Sequence, residues 1–184
     1  MQADVPEFPV GPYCPAVGVP DRMRGSWIAD IAELPSRVRQ AVEGLTGMQL
    51  DTKYRNWTIR QIVHHIADSH VNSYVRFKWA LTEDTPTIKA YDEGLWAGLN
   101  ESQLGSVTPS LLLLDGLHAR WCQLLATLTP DQYERAFLHP ESGVTITLNS
   151  ALAYYAWHGK HHTGQIHWLR DRHNMRPRIE NELA

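Results

Sequence analysis

Apolar side chains recur every three or four residues in four long segments of the chain, the spacing that places them on one face of a helix. Thr58, with Gln61 three residues later, forms a capping-box pattern at the start of the second segment. Thr108 followed by Pro109 predicts an N-cap and a proline at the first helical position of the third. The four predicted helices cover about residues 24–45, 58–82, 108–128 and 148–173.

The segments between these helices are marked by proline and glycine. Residues 1–20 contain five prolines, which predicts an extended, irregular arm laid over the body of the protein. Pro35 falls inside the first predicted helix and is expected to kink or restart it. The long connection after the second helix is expected to contain a short helix over residues 93–99. Residues 138–147 are expected to form a loop or a short hairpin around Gly143.

These elements together predict an all-α fold. Four amphipathic helices, with an extended Pro-rich N-terminal arm and one long crossover connection, describe a four-helix bundle in a single domain over residues 1–184. Bundles build metal and cofactor sites from side chains on facing helices. The chemistry is therefore expected between two of the long helices.

Composition and charge restrict the classes of partner. Charged residues make up 20% of the chain, and the formal net charge is −3 with scattered Lys and Arg, which argues against nucleic acid or an anionic membrane as a partner. No apolar run approaches the roughly 18 residues that span a bilayer. Asp4 and Glu7 stand where a signal peptide would be basic or apolar, so we expect a cytoplasmic protein with Cys14 and Cys122 as free thiols.

Histidine is the residue type that points to a specific chemistry, with ten copies in the chain. His158 and His162 are four residues apart and fall on the apolar stripe of the fourth predicted helix. At this spacing both imidazoles can bind one metal ion. In the alternative interpretation, His158 and His162 bind no metal and are core imidazoles that form hydrogen bonds within the protein. His161 and His167 lie off the stripe and are interpreted as surface or interface residues.

A third ligand is expected from the second helix, where His64 and His65 are the candidates. His65 belongs to a polar stripe with Gln61 and Ser69 that flanks the apolar face of this helix, whereas His64 points nearly opposite to that face. A solvated helix face is the alternative interpretation of the stripe. We prefer His65 as the ligand and interpret His64 as a surface residue or a neighbour of the ligands.

Three imidazoles without a thiolate leave a coordination position open, as in catalytic rather than structural metal sites. A divalent metal in such a site lowers the pKa of a bound water or of a substrate thiol. Zinc is the metal expected first, with nickel, iron or manganese as alternatives, because imidazole suits several of them. Asp68 is a candidate general base, although a surface position on the helix is the favoured interpretation.

Several motifs together carry a resemblance to a known family: TIRQIVHHIADSH at 58–70, RFK at 76–78, LTE at 81–83, YDE at 91–93, LHARW at 117–121, HP at 139–140 and YAWHGKHH at 155–162. Through these motifs the chain resembles the YfiT-like branch of the DinB superfamily over nearly its whole length. The resemblance implies a four-helix bundle that binds one metal per subunit, zinc or nickel, through His65, His158 and His162, and it implies a homodimer.

The resemblance implies a metal-dependent hydrolase, in which a metal-activated water attacks an ester, an amide or a similar bond of a small-molecule substrate. Related proteins transfer bacillithiol or mycothiol, so a metal-dependent low-molecular-weight thiol S-transferase is the first alternative. That alternative needs no general base, because the metal itself deprotonates the thiol. Arg76 and Arg120 are candidates to bind anionic groups of such a cosubstrate. A non-enzymatic metal- or ligand-binding stress protein is the second alternative.

Overall fold

The computed structural model describes residues 5–15 and 21–175. Four long helices pack into a bundle, and two short hairpins and four short helices connect them. The helices are α1 (Asp21–Val42), α2 (Gly47–Leu50), α3 (Ile59–Thr82), α4 (Glu93–Ala97), α5 (Asn100–Leu104), α6 (Thr108–Thr127), α7 (Pro130–Tyr133) and α8 (Leu148–Arg172), and the strands are β1 (Lys53–Tyr54), β2 (Trp57–Thr58), β3 (Ala136–His139) and β4 (Val144–Thr147).

The start of α3 has the capping box that the sequence predicts. The Thr58 hydroxyl accepts a hydrogen bond from the backbone N–H of Gln61 at 3.1 Å, and the Gln61 side-chain oxygen accepts one from the backbone N–H of Thr58 at 2.9 Å. Two backbone donors that the helix cannot satisfy by itself are therefore paired. This start fixes the rotation of α3, and with it the direction of the histidines that follow.

The predicted N-cap of α6 is wrong by one residue. Val107 is the N-cap and makes no side-chain cap hydrogen bond, so Thr108 is already the first helical residue and Pro109 the second. The Ser106 hydroxyl, one residue further back, accepts a hydrogen bond from the backbone N–H of Thr108 at 3.2 Å. The Ser106 hydroxyl thus accepts a hydrogen bond from a backbone N–H at the start of the helix, the role that the sequence pattern predicts for the Thr108 side chain. Thr108 is itself a helical residue.

Pro35 does not restart the first helix, because α1 is continuous across it. Residues on both sides, Ile31, Leu34 and Val38, are fully or almost fully buried against the rest of the bundle. Burial of this face outweighs the one backbone hydrogen bond that the proline removes. α1 also approaches α8 closely, since a Cβ added to Gly159 would lie 2.7 Å from the Leu34 side chain.

The two hairpins differ in how well the sequence predicts them. β3 and β4 form an antiparallel pair in the register Ala136↔Thr147, with Gly143 at a positive φ of 66° in the turn. This hairpin is one of the two forms expected for residues 138–147. The hairpin of β1 and β2 has strands of two residues each, too short to leave a periodic pattern in the sequence.

The N-terminal arm lies over α8 in the part that the structure describes, residues 5–15. The Trp157 indole N–H donates to the backbone oxygen of Gly11 at 3.0 Å, and the Tyr54 hydroxyl donates to the backbone oxygen of Pro6. A Cβ on Gly164 would lie 2.8 Å from the Val10 side chain. The rest of the predicted arm, residues 1–4 and 16–20, lies outside the described residues.

The core consists of two apolar clusters with a polar layer between them. One cluster contains Ile62 and Ile66 of α3 and Ile166 of α8, and the other contains Phe77 of α3 and Leu152 of α8. The buried polar residues that fall between the two clusters along the helices are Ser69, His70, Ser73 and Arg76 of α3, His118 of α6, and His158, His161, His162, Thr163 and Gln165 of α8, and His65 of α3 borders this layer from the first cluster. None of the described helices combines the length and the apolar character needed to cross a membrane.

Candidate metal centre

Three histidines from two facing helices meet where the polar layer borders the first apolar cluster. His65 lies on α3 and His158 and His162 lie on α8, and all three side chains are buried. One ring nitrogen from each lies within 4.8 Å of the other two. The structure therefore brings together the three residues that the sequence selects, and His64 is not among them.

The spacing of the ring nitrogens fits a shared divalent ion. His65 Nε2 and His158 Nε2 are 3.2 Å apart. Two imidazole nitrogens that each lie about 2.05 Å from a tetrahedral ion are about 3.3 Å apart. The donor set is also suitable, because three neutral imidazoles are a common ligand set for zinc and for other first-row metals.

Gln165 orients the imidazole of His162. Its side-chain oxygen lies 2.9 Å from His162 Nδ1, and its side-chain nitrogen lies 3.0 Å from His161 Nε2. The amide oxygen can only accept, so His162 carries its proton on Nδ1 and keeps the Nε2 lone pair for a metal. The amide N–H₂ in turn donates to His161, which therefore accepts through Nε2.

His70 and His118 extend the network behind His158. His70 Nε2 lies 3.3 Å from His158 Nδ1, and the His70 ring stacks on His118 with centroids 5.0 Å apart. His118 Nδ1 donates to the backbone oxygen of Ile31 at 2.6 Å. If His158 Nδ1–H donates to His70, its Nε2 is free for a metal, which is the usual arrangement of a histidine that binds one.

Burial keeps the three histidines of the cluster neutral. It lowers the pKa of His65 to about 4, with a further contribution from His161. Burial and the neighbouring imidazoles lower the pKa of His158 and His162 well below the ordinary value of 6.5. Neutral imidazole is the form that binds a metal, so the site needs no deprotonation at neutral pH.

Glu93 supplies a carboxylate at the cluster that the sequence analysis did not single out. Its Oε2 lies 3.9 Å from His65 Nε2. Burial, followed by the nearby Asp92, raises the pKa of the Glu93 carboxyl. Glu93 is the first residue of α4, in the connection between α3 and α6. Only its place in the resemblance motif YDE marks it in the sequence.

A cavity of about 650 Å³ opens beside the cluster. Its walls come from α3, α8, the β3–β4 hairpin and the N-terminal arm, and His158 reaches it from the cluster. Among the cavity-lining residues are Arg76, Tyr91, Asp92, Glu93, Glu141, Tyr154 and Tyr155. This volume is in the usual range for small-molecule sites.

The phenols in the cavity wall remain protonated over the physiological range. Burial raises the pKa of Tyr154 to about 12. Burial also raises the pKa of Tyr91 far above its ordinary value, despite a hydrogen bond with Ser69 that lowers it. Both hydroxyls are therefore available as neutral hydrogen-bond donors to a bound molecule.

Two histidines interpreted as surface residues are buried. His64 is only 5% exposed and its Nδ1 lies 2.8 Å from the Ser110 hydroxyl of α6. His161 is 8% exposed, because the N-terminal arm covers it, and its ring contacts Phe8 and stacks on Trp157 at 4.8 Å. The surface interpretation is wrong for both positions, while the other roles named for them, a neighbour of the ligands for His64 and an interface residue for His161, stay predictions; His167 is exposed as expected.

Two other predicted residues lie away from the cavity. Asp68 is half-buried near Glu101 of α5, and burial together with this carboxylate raises its pKa to about 6. Arg120 is exposed, with its guanidinium 5.7 Å from the ring centre of Tyr74. Of the two arginines considered for anion binding, only Arg76 lines the cavity.

Comparison with known proteins gives consistent results. YfiT of Bacillus subtilis, provisionally named a metal-dependent hydrolase, is 48% identical over 161 residues, which is 86% of this chain and 90% of that protein. A Bacillus mycoides protein with the same provisional name is 48% identical over 169 residues, 91% of this chain and 96% of its own. The solved structure of YfiT, described as a probable metal-dependent hydrolase with an unusual four-helix bundle topology, matches with a TM-score of 0.88 at 47% identity over 91% of this chain and 97% of its own.

The family itself is identified by a sequence profile. The profile of the DinB superfamily matches residues 30–166, a range that includes His65, His158 and His162. Together with relatives that are nearly half identical over most of their length, this match settles the family. The chain belongs to the DinB superfamily.

Proposed function

We propose that the protein is a metal-dependent hydrolase of a small-molecule substrate, with one divalent ion, zinc in the first place, held by His65, His158 and His162. The convergence of three neutral imidazoles and the names of the relatives support this proposal. A bound ion with open coordination positions supplies Lewis-acid activation of a carbonyl and lowers the pKa of a water. The remaining chemistry belongs to residues of the chain.

The observation that carries the hydrolase proposal is the position of Glu93. A hydrolase of this kind needs a base within hydrogen-bond reach of the attacking water, directly or through one more water. The Glu93 carboxylate lies 3.9 Å from His65 Nε2, close enough for this role. Its raised pKa makes it a better proton acceptor than an ordinary glutamate. Glu93 accepts the proton of the water and returns it to the leaving group.

Tyr91 and Tyr154 complete the proposed site as donors. Both line the cavity that Glu93 and His158 also line, and both hydroxyls keep their protons because burial raises their pKa. A protonated phenol can donate a hydrogen bond to an oxygen on which negative charge develops during hydrolysis. We assign this stabilising role to the two tyrosines.

A thiol S-transferase is the second candidate function, and the cavity volume favours it. A space of about 650 Å³ accommodates a low-molecular-weight thiol together with an electrophile, whereas hydrolysis needs only one organic reactant. The thiol would bind at the three-histidine end and would be activated without a base. The homodimer and the cytoplasmic location stay predictions, and light scattering of the purified protein tests the first of them.

One experiment separates the candidate functions. The zinc-loaded protein is offered a panel of esters and amides without thiol, and separately a chlorinated or epoxide electrophile with and without bacillithiol. Ester or amide turnover without thiol supports the hydrolase and contradicts the transferase. Thiol-dependent loss of the electrophile supports the transferase instead. Tight zinc binding without either activity favours the non-enzymatic alternative.

Variants test the assigned roles. Glu93→Gln should keep its zinc and lose about a hundredfold or more of the hydrolytic rate, the usual effect of removing a general base. Glu141→Gln is the matched control, because Glu141 lines the same cavity and is exposed, as Glu93 is, whereas of these two carboxylates only Glu93 lies 3.9 Å from His65 Nε2. Metal analysis of alanine variants at His65, His158 and His162 tests the ligands. His64→Ala should retain the metal, and loss of zinc in that variant would reverse the choice between the two adjacent histidines.

A further inference from the structure

Arg76 is a buried arginine that faces the cavity without a counter-ion. The residue is 9% exposed, lies on α3 and lines the cavity. Among the described residues no carboxylate forms an ion pair with its guanidinium and no acceptor forms a hydrogen bond with it. A guanidinium stays charged at any physiological pH, so this position holds an uncompensated positive charge.

Arg60 provides an internal comparison. It is 8% exposed, almost the same as Arg76, and its guanidinium is fully paired. It donates to the Asp51 carboxylate at 2.9 Å and to the backbone oxygen of Gly105 at 2.6 Å. Burying a charge without such partners carries a large desolvation cost. The chain pairs the Arg60 guanidinium in this way, whereas the Arg76 guanidinium has no such partner among the described residues and its nitrogens stay open to the cavity.

The surroundings of Arg76 limit the kind of anion it can take. Its charge acts on the phenols of Tyr91 and Tyr154, both of which line the cavity and can donate hydrogen bonds. Asp92, Glu93 and Glu141 line the same cavity and would repel a multiply charged group. A single arginine with phenol donors therefore fits a singly charged carboxylate better than a phosphate dianion.

The fold also limits the length of the ligand. His65 and Arg76 lie eleven residues apart on α3, so their Cα atoms are about 16 Å apart along the helix axis. Long helical side chains point back toward the N-terminal end of the helix, so the Arg76 guanidinium lies closer to the three-histidine end than its Cα atom does, and the ligand spans the distance that remains. The aromatic rings of Tyr154 and Tyr155 stand along the cavity between His158 and the hairpin, and they offer apolar contact to its middle part.

From these observations we infer that the cavity binds a small molecule with a carboxylate at one end, that Arg76 pairs with this carboxylate, and that the reacting group lies at the three-histidine end. This inference rests on the proposed function for the position of the reacting group. It adds the substrate class, because it selects amphipathic monocarboxylates over neutral esters, neutral amides and phosphates.

Hydroxamates with a variable tail test this inference by binding rather than by turnover. The probes are the monohydroxamates of adipic, suberic and sebacic acid, each compared with the analogue whose free carboxylate is replaced by a carboxamide. The hydroxamate group binds zinc at one end of the probe. The affinity difference between a carboxylate tail and a carboxamide tail then measures the interaction with Arg76 at the other end. Calorimetry on the zinc-loaded protein should show that the carboxylate of best length binds about tenfold to a hundredfold more tightly than its carboxamide.

Variants then assign the preference to the residue. In Arg76→Met the carboxylate and the carboxamide should bind equally, and Arg76→Lys should keep part of the difference because it keeps the charge. Arg120→Met, which removes an exposed arginine outside the cavity, should behave as the unmodified protein. A phosphonate tail should bind more weakly than the carboxylate.

The possible failures are distinguishable. Equal binding of each carboxylate and its carboxamide to the unmodified protein would overturn the Arg76 inference and leave the proposed function intact. Binding of neither member of any pair would overturn both, because the metal end would then not hold the hydroxamate. The comparison between probes needs no variant, so it decides the question even if Arg76→Met does not fold.

Discussion

Replacing Gln165 perturbs the candidate metal centre without removing a ligand. Gln165→Leu keeps the approximate size of the side chain but removes the oxygen that lies 2.9 Å from His162 Nδ1. In the metal-bound state Nε2 holds the ion, so Nδ1 must carry the proton and would be a buried donor without an acceptor. In the metal-free state the ring can move its proton to Nε2 and avoid this cost. The cost at His162 therefore falls on the metal-bound state alone, whereas the hydrogen bond from Gln165 to His161 is lost in both states and does not change the zinc affinity.

The expected change in zinc affinity follows from the free energy of leaving the His162 Nδ1–H without an acceptor. An unsatisfied buried donor costs about 1–3 kcal/mol, and loss of a hydrogen-bond partner of a metal ligand typically weakens metal affinity about tenfold to a hundredfold. We expect the zinc dissociation constant of Gln165→Leu to rise by a factor in that range. Gln165→Glu, which keeps an acceptor oxygen, should bind zinc at least as tightly as the unmodified protein.

Competition with a chromophoric zinc chelator measures these constants, and circular dichroism checks that each variant is folded. His167→Leu is the control for a change on the same helix, because His167 is exposed. If Gln165→Leu binds zinc within about twofold of the unmodified protein, Gln165 does not fix the His162 tautomer and the reasoning is wrong.

Three further predictions concern the polar layer and the helix contacts. His70→Phe should weaken zinc binding about tenfold, because phenylalanine cannot accept a hydrogen bond from His158; His70→Gln should recover part of this loss in the same competition assay. The pKa of His118 is about 4 in the folded chain and 6.5 in the unfolded chain, so its contribution is complete above pH 6.5 and is lost as the pH falls toward 4. Urea titrations of the metal-free protein should show a loss of about 2 kcal/mol from this residue at about pH 5, and His118→Asn should reduce the pH slope. Gly159→Ala should lower the free energy of unfolding by about 1–3 kcal/mol, because its Cβ would press on Leu34. Gly116→Ala, with nothing within 4 Å, should not destabilise, and thermal denaturation compares the two.

The sequence is sufficient to select the three clustered histidines because their geometry is local. The spacing of His158 and His162 fixes both on one face of a helix, and the capping box at Thr58 fixes the start of α3. The polar stripe that His65 shares with Gln61 and Ser69 then favours it over His64, although the structure buries both side chains. Each step uses contacts within about one or two helical turns, which sequence periodicity records.

The rest of the site depends on contacts between distant segments. Glu93 reaches His65 from a connection that has no helical periodicity of its own, and His161 is buried by the N-terminal arm rather than by the bundle. A helical wheel of α8 separates only the face that packs against the other bundle helices from the rest, so it places His161 on the surface although the N-terminal arm covers it. The lack of an ion-pair partner for Arg76 among the described residues likewise depends on the folded structure, because a sequence pattern does not predict which charged side chains meet.

The polar layer also bears on how cooperatively the bundle unfolds. It separates two apolar clusters, whose members are nearest in sequence on α1, where Ile31 belongs to one cluster and Leu34 to the other. His65 and His158 are 93 residues apart in sequence, so an ion held between them ties α3 to α8 at the boundary of the two halves. Without the ion we expect backbone amides on the two sides to exchange with solvent at different opening free energies. With zinc bound, the opening free energies on the two sides should become equal, so that the two apolar clusters unfold as one cooperative unit.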